Sequence, residues 1–285
     1  MKIKSNIFSL SRFFKLLQHD FNNNRLYYLA IIPVAMLAIG LVHWFNYPDA
    51  GLPQINYSYR PWESKRYLPT FILGYIVFGI IIGGNSFPGL KNNNSTIRYL
   101  SLPASVFEKF LFQWGTRILL FLILYPLIFK LTVNFTADIY LDHLASILVS
   151  EGKSLDLLPK IDYLIYSEYF GKNSEPILLL FLFLLMGIGG ISLMFLGGTI
   201  FRKWNILLGP ITILFLVFVF FLHLVILSHF LVPESTEGWE INFKIGGPEI
   251  IKDLPLPILS GFVFLGLLSI VSWVVAYLRL KEREA

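Results

Sequence analysis

Read as apolar and polar positions, the chain falls into six long apolar runs separated by shorter polar segments. The runs cover 27–45, 68–84, 110–133, 177–201, 206–232 and 256–278. A helix needs about 20 mostly apolar residues to cross a bilayer, and each run approaches that length. The third is the weakest, because Arg117 and Lys130 fall inside it and only Ile118–Phe129 is free of charge. Both cations lie towards the ends, where long side chains snorkel to the headgroups. Pro126 and Pro210 sit within runs, where neighbouring helices satisfy the backbone groups a proline frees. The pattern predicts an all-α polytopic membrane protein with six transmembrane helices in a single domain over 1–285.

The polar segments carry two further patterns. Before the first run, Ile3, Ile7, Leu10, Phe14, Leu17 and Phe21 recur every three or four residues, with Arg12 and Lys15 off that stripe. A cationic amphipathic helix within 1–26 is expected to lie in a headgroup layer as an interfacial helix, with Arg12, Phe14, Lys15 and Leu17 meeting lipid. The alternative is a helix packed on the rest of the protein. The run that follows ends in Trp44, Phe45 and Tyr47 and not in a small-residue cleavage site, so it reads as a retained span with an aromatic anchor.

Charge gives the orientation. With the N-terminus inside and six crossings, the inside segments hold 14 of 23 cations and 4 of 18 acids, and the outside segments hold 9 and 14. The excess of Lys and Arg on one side predicts both termini in the cytoplasm. The segment 134–176 then becomes a long extracytoplasmic loop. In it, Leu141, Leu144 and Leu148 predict a separate helix over Ala137–Ser150, lying on the membrane or capping a dimer. The segment Pro233–Pro255 reads as a re-entrant or surface element.

The loop between the second and third runs, Asn85–Lys109, is the most structured of the polar segments. Pro88, Gly89 and the run Asn92–Asn94 break the second span. Asn94 or Ser95 is expected to cap a short helix over Thr96–Leu100 that carries Arg98 and Tyr99. Pro103 ends it, because a residue before proline avoids the helical region. Ser105-x-x-Glu108 then has the spacing of a capping box and starts the helix that enters the third span. A short helix, a proline break and a capped helix make a stiff knob, able to pass force from a soluble partner to two spans.

At these residues Leu102-Pro103-Ala104-Ser105-x-x-Glu108-Lys109-Phe110 resembles the LPAS-x-x-EKF signature of bacterial ABC-2-type transporter permeases, most closely its Bacteroidetes-like form. The ending Ala276–Glu284 is similar to the Y-x-R-L-K-E-K-E ending of the same group. The resemblance implies a permease subunit of the bacterial inner membrane, paired as a homodimer or heterodimer, with each copy docking a cytoplasmic ABC ATPase. It implies that a coupling helix between spans two and three, here Thr96, Arg98, Tyr99, Leu102, Pro103, Ser105, Glu108 and Lys109, meets that ATPase. The N-terminal helix would match the family's interfacial elbow helix. The long 134–176 segment departs from the family's layout.

The remaining composition narrows the chemistry. No cysteine is present, which removes disulfides and thiolate chemistry. No G-x-x-x-x-G-K-[ST] occurs, so ATP hydrolysis would belong to a separate polypeptide. His223 and His229 are six residues apart, 240° around a helix, and cannot ligate from one face; His223 is the intramembrane ionisable group to test. No metal, cofactor, catalytic group or nucleic-acid-binding stripe is expected. Gly187, Gly189, Gly190, Gly197 and Gly198 in the fourth run predict close helix packing or a moving contact. A non-transporting membrane scaffold and an intramembrane enzyme are the competing readings, and the few polar groups within the runs (Ser192, Thr212, His223, Ser269, Ser272) favour the enzyme least.

Overall fold

The structure, a computed structural model, describes residues 8–48, 62–166, 174–231, 249–251 and 254–284. Ile3, Ile7 and most of the surface element expected over 233–255, including all of 233–248, lie outside them. The order is α1 (Leu10–Asn23), α2 (Arg25–Trp44), α3 (Leu68–Gly84), α4 (Asn93–Leu100), α5 (Val106–Trp114), α6 (Leu120–Ser150), α7 (Ser174–Ile200), α8 (Asn205–Leu231) and α9 (Leu256–Glu284). Among the described residues the strands are one short antiparallel pair, β1 (Glu249–Ile251) and β2 (Leu254–Pro255). Among the described residues six helices are long and apolar enough to cross a membrane: Arg25–Trp44, Ser64–Gly84, Val106–Ser150, Leu180–Ile200, Arg202–His223 and Leu259–Glu284. The chain is a multi-pass membrane protein. Its exposed apolar side chains, among them Leu207, Ile211, Leu214, Phe215 and Phe218 along α8, have the surface that hydrocarbon solvates.

The third span differs from the sequence expectation. A five-residue π turn, Gly115–Leu119, joins α5 to α6, and the helical path then runs without a break to Ser150. The helix expected over Ala137–Ser150 is therefore not a separate element lying on a surface; it continues the third span. Nothing between Val133 and Ala137 breaks a helix, and Thr132 and Thr136 turn their hydroxyls back to the carbonyls of Ile128 and Thr132. The segment between spans three and four begins at Glu151, with Gly152 in the left-handed region (φ 66°) ending the helix.

The chain divides into two compact units. One comprises 19–75 and 122–172: α2, the first half of α3 and most of α6. Its core is aromatic, with His43, Tyr47, Tyr67, Phe71, Tyr125 and Phe129 all buried. Water is scarce in such a core, so the phenols take backbone carbonyls. Tyr47 Oη donates to Val133 O (2.9 Å), Tyr125 Oη to Phe71 O (2.7 Å) and Tyr166 Oη to Pro126 O (2.7 Å). That last bond sits beside a helix proline.

The other unit comprises 1–18, 76–121 and 173–285. Here α7 is the centre and packs on α9 and α8. Trp273 Nε1 donates to Ser192 Oγ (2.9 Å) across α9 and α7. Buried Asn205, the first residue of α8, donates to Gly84 O (3.1 Å) and Met194 O (2.8 Å), tying the ends of three spans together. The glycines of α7 are not equivalent. A Cβ at Gly198 would meet the Ser86 side chain and, at 3.0 Å, its carbonyl, whereas one at Gly190 would meet only Ile213 at 3.9 Å.

Candidate functional site

The loop from Asn85 to Lys109 lies within the second unit described and is held from beneath by span ends. Phe87 adopts φ 49°, a left-handed conformation that costs a side-chain-bearing residue about 1–2 kcal/mol. It is kept there by full burial, by its ring against Phe195 (4.8 Å between centroids) and by its N–H donating to Gln113 Oε1 (3.2 Å). Ser86 Oγ donates to Phe195 O (3.2 Å). The turn after α3 is thus pinned to α5 and α7, and Pro88–Leu90 forms a single 3₁₀ turn.

Helix α4 begins earlier than the sequence suggests. Asn92, and not Asn94 or Ser95, is its N-cap, and the Asn92 N–H donates to Ser95 Oγ (3.2 Å). Thr96 caps nothing; its hydroxyl bonds back to Asn92 O (2.8 Å). Tyr99 lies directly on Gly89, where a Cβ would come within 2.6 Å of the ring, so the glycine is required for α4 to sit down on the preceding turn. Arg98 and Ile97 face outward, Ile97 at 70% exposure. Leu102 is half-buried and Pro103 exposed in the turn between α4 and α5.

The capping box at the start of α5 forms as expected. Ser105 Oγ accepts from the Glu108 N–H (3.2 Å), and Glu108 Oε2 accepts from the Ser105 N–H (2.8 Å). Glu108 also accepts from the Ser9 N–H (2.6 Å) and from Arg12 Nε and Nη2 (3.1 and 2.9 Å to Oε1). Its side chain is fully buried. Around it Phe8 meets Phe107 and Phe13 meets Phe112 edge to face. The next residue does the same work on the other end of the chain. Lys109 Nζ donates to Glu284 Oε1 (2.7 Å) and to Leu100 O (2.9 Å), and lies 5.7 Å from the Tyr99 ring centroid. Glu108 and Lys109 are therefore internal fasteners and present no charge to a partner. The partner-accessible part of the predicted set is Arg98 and Pro103, with Ile97 added by the structure. Spacing alone could not reveal this, because it fixed the cap but not the residues 96 and 175 positions away that complete it.

On α1, Arg12 is committed to Glu108, while Lys15 is exposed and Phe14 and Leu17 are 62% and 39% exposed. The apolar stripe of α1 (Leu10, Phe14, Leu17, Phe21) points outward, and Leu16, which is off it, is the buried residue. The helix is packed on the protein by its other side, through Arg12 on Glu108 and Phe13 on Phe112, and the stripe is left exposed. Arg117 does not snorkel: it is 3% exposed within the π turn. Lys130 is exposed. Burial, with the Arg117 charge added, pushes the Lys91 ammonium below its usual range. Among the described residues no group of three His, Cys, Asp or Glu side chains could hold a metal ion. His223 is exposed, stacked near Phe220 and Phe264; the side chain of His229 lies outside the described residues. Compared with protein-family models, with curated proteins and with solved structures, the chain returns no match.

Proposed function

We propose that this chain is the membrane-spanning permease subunit of a bacterial ABC exporter, with both termini in the cytoplasm and ATP hydrolysis on a separate subunit. The observation that carries the reading is the knob formed by α4, the Pro103 turn and the start of α5. It projects an outward face (Ile97, Arg98, Pro103) from a base fastened to both ends of the chain through Glu108 and Lys109. A partner pressing on that face moves α5 and, through Arg12 and Glu284, α1 and α9 with it. A loop serving only to connect two spans has no need of such bracing. The LPAS-x-x-EKF resemblance supplies the identity of the partner, and the basic inner segments supply the side on which it binds. The exposed apolar stripe of α1 supports its placement in the inner headgroup layer as an elbow helix.

The test is co-purification from the native host with an ATPase subunit. Ile97→Glu and Pro103→Gly, both on the outward face, are expected to abolish the pairing while the permease stays folded in detergent. A wild-type chain that brings down no ATPase would favour the scaffold reading. Pairing that survives both substitutions would remove the knob as the contact.

A further inference from the structure

Beside the knob, α4 and the turn between α7 and α8 line an open cavity of ≈ 750 Å³ that shares Arg98 with the coupling face but includes neither Ile97 nor Pro103. Its lining includes Lys91, Arg98, Arg202 and Lys203, and no carboxylate is among its lining residues. Arg98 and Lys203 form no ion pair among the described residues. Four cations line the cavity and no carboxylate does, a lining that an anion complements. Arg202 is held at φ 53°, the left-handed region that a side-chain-bearing residue enters at a cost, and its guanidinium donates to Asn93 Oδ1 (3.3 Å) across the cavity. Lys203 lies 5.4 Å from the ring centroid of Trp204, which is 56% exposed.

The level of the cavity in the fold identifies the anion. Residues 201–204 are the whole connection between α7, ending at Ile200, and α8, starting at Asn205, both of which belong to spans. Asn205 binds the carbonyl of Gly84, the last residue of α3. The cations therefore sit where three spans end, at headgroup depth, with an exposed indole of the kind that partitions there. Basic pockets between span ends on one face bind lipid headgroups.

We propose that this cavity binds the phosphate of an anionic phospholipid headgroup. The proposal rests on the membrane-spanning fold and not on ATPase coupling, and its variants avoid Ile97 and Pro103, so the two can fail separately.

The experiment is native mass spectrometry of the full chain in non-ionic detergent, exposed to equimolar phosphatidylglycerol and phosphatidylcholine. Wild type is expected to retain phosphatidylglycerol preferentially. Arg202→Gln/Lys203→Gln is expected to weaken that retention about fivefold for each cation removed. Lys65→Gln/Lys153→Gln, which removes the same two charges from exposed positions away from the cavity, is expected to leave it unchanged. Equal retention by the double variant and wild type overturns the proposal. Displacement of the lipid by millimolar inorganic phosphate in wild type assigns the site to a free anion and overturns the lipid source. Loss of a co-purifying protein from the double variant, with lipid retention unchanged, overturns it in favour of a protein contact.

Discussion

Replacing Lys109 with methionine tests the bracing of the knob directly. Methionine is unbranched and one atom shorter, so it keeps most of the packing of the lysine stem and removes the ammonium. The loss strands Glu284 Oε1, bonded at 2.7 Å, and Leu100 O, bonded at 2.9 Å. Removing one member of a fully buried pair costs about 3–5 kcal/mol. Glu284 keeps 20% of its side-chain surface in contact with solvent, so part of its charge is rehydrated and the cost falls to about 2 kcal/mol. For a chain of this size that corresponds to a drop of about 4–8 °C in the unfolding midpoint. The assay is thermal unfolding in non-ionic detergent followed by circular dichroism. The reasoning makes a second demand: Glu284→Gln in the Lys109→Met background should restore part of the loss, because the stranded charge is gone. A coupling of about 1 kcal/mol or more in that cycle is expected. A midpoint for Lys109→Met within 1 °C of wild type, or strictly additive single changes, would refute the pairing as the fastener.

The glycines of α7 give a contrast within one helix. Gly198→Ala should lower the midpoint by an amount equivalent to about 1–3 kcal/mol, since α7 must back away from Ser86. Gly190→Ala should leave it unchanged or raise it, since the site is open and alanine favours helix; equal effects of the two would remove the close approach as the cause. Tyr163 donates its phenol proton to the Asp138 carboxylate, which raises its ionisation above the ordinary phenol range. Its folded value is the higher one, so the contribution to stability is complete below the ordinary phenol range and disappears as pH climbs through the raised value. Ultraviolet difference titration of wild type against Tyr163→Phe should show this, and Asp138→Asn should bring the transition down; no movement in that variant would sink the assignment.

The spans were legible because lipid imposes a one-dimensional rule: about 20 apolar residues, interrupted by polar ones. The capping box was legible because both its partners lie within four positions. What could not be read was set by distance in the chain. Arg117 looked like a snorkelling cation because only the π turn and the surrounding helices put it inside. The helix over 137–150 looked separate because hydropathy falls at Asn134, yet hydropathy reports solvent and not helix continuity, and Asn134 Oδ1 is occupied by the Leu164 N–H (2.9 Å). Glu108 and Lys109 looked like docking charges because their partners are encoded at the two far ends of the sequence.

Those two adjacent residues also set an order of events during synthesis. Arg12 precedes Glu108, so the carboxylate finds its counter-ion as soon as the third span is made. Lys109 has no such companion until Glu284 emerges, 175 positions later. Through the insertion of three more spans its ammonium has neither Glu284 nor the shelter of α9. The final turn of α9 is thus the keystone of the base of the third span, and a nascent chain halted before it leaves Lys109 without the Glu284 carboxylate.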